Sequence, residues 1–243
     1  MNRYLLMLTA FFMSVKLIAQ IPKSEHAALL DLYHATDGPN WFITWDTSLP
    51  PAQWHGVSIV NNHVTGLNLS RNNLTGSLPE SMGNLSNLFF LELYFNKLEG
   101  ALPQSLYRLQ NLRRLVLNAN HFDGKIPSYI YDLTNLEVLL LASNHFTGTV
   151  SNNILKLRKL RVFNVFDNCL SGSFPAALLR LKELQELNIA ANNFTGSLPG
   201  DLAEASYLKS LILFDNNFQN QSEFQKLLNE RPQKSHAIIM ASY

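Results

Sequence analysis

At 243 residues and 47% apolar, the chain carries enough hydrophobic surface to bury an ample core. Its 19 basic and 18 acidic residues give a formal net charge of +1, and no basic stripe tracks a phosphate backbone, which argues against nucleic acid as a partner. The single cysteine, Cys169, excludes an intramolecular disulfide.

Residues 1–19 read as a secretory signal peptide. Arg3 supplies the positive charge, Tyr4 to Val15 the apolar run, and Ala19 a small residue at the cut. Lys16 and Leu17 are unusual there, so the exact cleavage position stays open. Removing Arg3 and Lys16 leaves 17 basic residues against 18 acidic ones, a net charge of −1. No later stretch approaches the roughly 18 apolar residues of a membrane span. The mature chain is therefore expected to be soluble and secreted, extracellular or at the cell surface, or periplasmic if an outer membrane retains it.

Residues 20–63 form an N-terminal cap. Ser24 can cap a helix running to about Thr36, with Gly38 and Pro39 as its stop. Trp41, Trp45 and Trp54 follow. Val57 to Val60, the turn Asn61-Asn62 and Val64 onward read as a hairpin that covers an exposed sheet edge. Edge protection is the preferred reading of the tryptophans, ahead of sugar stacking.

From Val64 to Asn220 a 24-residue unit repeats seven times without insertion or deletion. Leu67, Leu91, Leu115, Leu139, Phe163, Leu187 and Leu211 form one column, and Leu69 through Leu213 a second, two residues on. The L-x-L step has period two, so it is a short strand with the leucines inward and the residues between them outward. Asparagine follows in every unit, from Asn72 to Asn216. Its amide both donates and accepts, and a stack of such amides can satisfy the buried backbone of neighbouring turns. An apolar residue, a glycine and a proline complete most units, and Ser151 stands where one proline is expected. One unit cannot bury its apolar face alone, so the units must stack.

Leu91-Glu-Leu-Tyr-Phe-Asn-Lys-Leu-Glu-Gly-Ala-Leu-Pro103 resembles the repeat signature of plant-type extracellular leucine-rich repeat proteins. That resemblance implies an α/β repeat fold: a right-handed solenoid with a concave parallel sheet of seven main strands and a cap at each end. The tryptophan-rich segment looks like the N-terminal cap of the same family, which usually has two cysteines where Ala52 and Ile59 stand here. Keeping the aromatics without the disulfide is more like the family's secreted bacterial members.

Residues 221–243 read as a C-terminal cap. Phe224, Leu227 and Leu228 stand at helical spacing within Ser222 to Glu230, Pro232 ends that helix, and Ala237 to Met240 is strand-like. The alternative is a truncated chain with a weak cap.

The outward strand positions of the seven units span roughly 29 Å at about 4.8 Å per strand. Repeats two to five place Phe90, Tyr94, Phe95, Arg114, Val116, Leu140 and Phe166 there. Strand propensity accounts for the aliphatic residues but not for three outward aromatics in one repeat, so these seven are the candidate ligand-binding residues. Lys97, His121, His145 and Cys169 form another column, which could bring two imidazoles and a thiol near one zinc ion. It is a turn column facing solvent, and no metal or cofactor is expected. No nucleophile elbow, phosphate loop or His-Glu-x-x-His is present, and the chain is not expected to be an enzyme. The expected partner is a protein or peptide on the concave face, with a glycan held by exposed aromatics as the alternative. Ice binding, known in some plant-type repeats, needs a regular array such as threonine, and the outward strand positions hold none.

Overall fold

The computed structural model describes residues 20–229 and 237–239. The expected signal peptide and the ends of the C-terminal segment lie outside the described residues. Helix α1 (Lys23–Ala35) precedes a nine-stranded sheet. Its strands are β1 (Val57–Val60), β2 (His63–Asn68), β3 (Phe90–Glu92), β4 (Arg114–Val116), β5 (Val138–Leu140), β6 (Val162–Asn164), β7 (Glu186–Asn188), β8 (Ser210–Ile212) and β9 (Ala237–Ile239). They lie side by side in chain order. Only β1 and β2 are antiparallel; every later neighbour is parallel.

The pairing register equals the repeat: Leu91 faces Leu115, and Leu115 faces Leu139. Short 3-10 turns, from Glu80–Asn84 to Gly200–Glu204, return the chain to the next strand. Small parallel sheets of four and three short strands lie in the segments between. Leu91, Leu115, Leu139 and Phe163 are fully buried, as are Leu93, Leu117, Leu141 and Val165. The core is therefore a continuous apolar column running along the stack, as the period-two pattern requires.

The asparagines bond to backbone rather than to one another. Asn144 donates from Nδ2 to the carbonyls of Leu117 (3.1 Å) and Leu141 (3.0 Å), and its Oδ1 accepts from the Phe122 amide at 3.0 Å. Each such side chain ties one repeat to the one before it. At the first repeat no earlier unit exists, and Asn72 bonds instead to the Ile43 amide (2.7 Å) and carbonyl (3.2 Å) of the cap. Five of the six 3-10 turns begin after proline. Ser151 starts the remaining one by accepting from the Asn153 amide at 3.2 Å, so a side-chain cap replaces the φ restriction of proline.

The N-terminal cap departs from expectation at its start. Pro22, not Ser24, occupies the helix N-cap, and no side chain caps it. The helix ends at Ala35, with Asp37 in the left-handed region at φ 58°. The hairpin forms as expected, with Asn61 and Asn62 both at positive φ (50° and 64°). Trp41, Trp45 and Trp54 are buried and donate their indole N–H groups to the carbonyls of Thr36, His55 and Asp46. Trp45 and Trp54 stack at 4.7 Å between ring centroids. Such enclosed rings cannot serve as sugar-stacking platforms. At the other end, β9 pairs with β8 in parallel, so it lengthens the same sheet.

Candidate functional site

The open face of the long sheet is built by the residues between and just after the inward leucines. Next to each asparagine the chain must turn, and the preceding residue adopts a left-handed conformation in every unit. Arg71, Phe95, Ala119, Ser143, Asp167, Ala191 and Asp215 all have φ between 50° and 56°. This places the Phe95 side chain at the sheet margin, half exposed.

Tyr94 and Phe95 meet edge to face at 5.9 Å, and the Arg71 guanidinium lies 4.7 Å from the Phe95 ring centroid and 6.0 Å from that of Tyr94. A cation above two rings fixes this corner of the face. Phe90 is half-buried, and its ring covers Gly66, where an added Cβ would sit 2.0 Å from the ring. Arg114 is exposed and donates from Nε to Glu92 Oε1 at 3.1 Å, while Glu92 Oε2 accepts from Asn68 Nδ2 at 3.0 Å. Its charge is thus already matched within the face.

Val116 departs from the expected exposure. It is only 4% exposed, lying in register between Glu92 and Leu140, and a short side chain between longer neighbours offers a ligand little surface. Leu140 and Phe166 are partly exposed. Phe166 approaches Phe214, two repeats on, at 6.2 Å, and Ala190 between them in the column is fully buried. The face therefore carries two aromatic groups: Arg71, Tyr94 and Phe95 over the first two repeats, and Phe166 with Phe214 over repeats five to seven. Arg71 and Phe214 lie outside the seven sequence-derived candidates. Both share columns with them, and that was the signal available.

The His121 and His145 rings stack at 5.7 Å with 8° between their planes, exposed to solvent beside Cys169. Nitrogen lone pairs in parallel ring planes do not converge on one ion. Among the described residues no group of three metal-ligating side chains comes together. The large shifts of ionisation lie on the 3-10 side, where burial pushes the hydroxyls of Tyr129 and Tyr131 up to about 12. No helix among the described residues is long and apolar enough to cross a membrane.

A family model described as a leucine-rich repeat region matches residues 62–229. A probable leucine-rich repeat receptor-like protein kinase of Arabidopsis thaliana is 34% identical over 92 residues, 38% of this chain and 14% of the kinase. The crystal structure of PEPR1-AtPEP1 aligns with a TM-score of 0.77 and 28% identity over 91% of this chain and 31% of that one. The plant peptide hormone receptor RGFR1 in complex with RGF2 aligns with a TM-score of 0.61 and 32% identity over 63% of this chain and 24% of the receptor. The chain thus spans less than a third of the length of each of these proteins. A plant ice-binding protein aligns with a TM-score of 0.80 at 22% identity, over 91% of this chain and 72% of that one, a likeness of fold alone.

Proposed function

The chain belongs to the leucine-rich repeat region family, and on that premise we propose that it is an extracellular, non-catalytic module that binds a protein or peptide along the open face of the long sheet. The observation that carries this reading is the Arg71–Tyr94–Phe95 corner, where an exposed aromatic residue and a cation meet on that face. Exposed aromatic and arginine side chains are the residues that dominate protein contact energies. The contact area extends over repeats two to five, with Phe90, Tyr94, Phe95, Arg114, Leu140 and Phe166 in it and Val116 as a buried spacer. The similarity to a peptide hormone receptor supports a peptide or protein ligand over other classes. Residues 1–19 are assigned as a signal peptide, and the cap as the disulfide-free form that keeps the tryptophans and has Ala52 and Ile59 in place of the cysteine pair.

The test begins by recovering partners from the secreted proteins of the source organism with the immobilised chain. Amide hydrogen exchange of the complex then maps the contact. Slowed exchange in β3 to β6 supports the reading, whereas protection confined to the 3-10 turns would assign binding to the opposite side.

A further inference from the structure

Between the 3-10 turns Asn152–Lys156 and Ala176–Arg180, outside the open face, lies a recess of about 540 Å3. Lys156, Arg158, Arg180 and Lys182 line it, with Glu183 as the one carboxylate among the lining residues. The cations form two pairs one repeat apart, Lys156 with Arg180 and Arg158 with Lys182. The matching positions hold Asp132 and Thr134 in the preceding turn and Glu204 and Ser206 in the following one, so the doubled charge is confined to these two turns. The chain as a whole is close to neutral, which makes the cluster a local departure rather than a reflection of composition.

The four cations differ in how they are held. Lys156 pairs with Asp132 at 2.6 Å. Lys182 donates to the Leu179 carbonyl at 3.3 Å, with its ammonium 4.9 Å from the Tyr207 ring centroid. The guanidinium groups of Arg158 and Arg180 have no ion pair or side-chain hydrogen bond among the described residues. Two unengaged planar forks at one recess suit sulfate, phosphate or carboxylate oxygens, which they can grip bidentately. Half-buried Leu155 adds apolar surface, whereas Leu181 belongs to the buried core. The volume falls within the roughly 300–1,000 Å3 of small-molecule sites, more than one oxyanion needs.

We propose that this recess binds an acidic oligosaccharide, with Arg158 and Arg180 gripping its anionic groups and half-buried Leu155 meeting the apolar face of a sugar ring. The proposal stands independently of the ligand on the open face.

The test is calorimetric titration of the full chain with a sulfated heparin hexasaccharide, with a neutral hexasaccharide, inorganic phosphate and phosphatidylglycerol vesicles as separate arms. Saturable binding of the sulfated sugar alone is expected, weakening as salt rises. Arg158→Gln with Arg180→Gln should lower its affinity by about tenfold or more, and the paired change to lysine by less, because charge remains while the forks are lost. Lys23→Gln with Lys97→Gln removes the same net charge elsewhere and should leave binding unchanged. Thermal melting accompanies each variant. An equal loss in both glutamine pairs, phosphate binding as tight as the sugar's, or binding to vesicles in preference to the sugar would overturn the proposal.

Discussion

At the scale of single residues, the asparagine column shows how a side chain can do the work of secondary structure. Asn144 accepts from the buried Phe122 amide and donates to the Leu117 and Leu141 carbonyls, which it shares with Asn120 and Asn168 respectively. Asn144→Leu fills similar space but leaves the buried Phe122 amide without its acceptor, and should cost about 1–3 kcal/mol in a denaturant titration. Tyr131 is the opposite case, a fully buried residue whose hydroxyl makes no hydrogen bond of ordinary geometry among the described residues and has only a weak interaction with the Ser151 backbone. Burial pushes its ionisation up to about 12 from 10.0, so the fold favours the neutral phenol. The associated stability is fully present below pH 10.0 and is lost as pH rises toward about 12. Tyr131→Phe should therefore melt no lower than the parent at neutral pH and should flatten the alkaline loss, read from melting temperature against pH. The asparagine role was legible from spacing, because an amide recurring at a turn implies a backbone partner. The state of Tyr131 was not, since Tyr107, one repeat earlier in the same column, is 43% exposed.

At the scale of the element, each repeat is held by both neighbours, and loss of one inward leucine is felt across two interfaces. Leu141 is fully buried mid-stack. Leu141→Ala should cost about 2–5 kcal/mol through the cavity it leaves, measured by chemical unfolding. The strands, their inward residues and the hairpin followed from periodicity and from the Asn61-Asn62 pair. The cap was harder. Glu25 is buried, accepting from the Val64 amide at 2.7 Å and meeting His63 Nδ1 at 2.6 Å. A carboxylate on a helix ordinarily reads as solvated, and no local pattern announces a partner 38 residues away. Likewise Ser24 has the chemistry of an N-cap, but the chain enters the helix at Pro22, whose fixed φ already suits helix entry.

At the scale of the whole molecule, seven in-register repeats lengthened at both ends give one continuous sheet, and its open face is the surface proposed for ligand. Which residues point outward was legible from alternation alone. Which of them stay accessible was not, because that depends on neighbours 24 and 48 residues away. Val116 is buried on the face, Phe90 lies over Gly66, and Phe166 leans toward Phe214 across Ala190. Half-buried Tyr94 and exposed Phe95 are therefore the side chains of this face most available to a ligand. The decisive measurement is calorimetric titration of a recovered partner against Tyr94→Ala and Phe95→Ala, with thermal melting of each variant alongside. These side chains leave the strands away from the core, so each change should alter stability by less than about 1 kcal/mol while weakening binding by about 2 kcal/mol or more. Unchanged binding in both variants, with loss of binding in Gln104→Ala and Ser128→Ala on the 3-10 side, would contradict the open face as the functional surface.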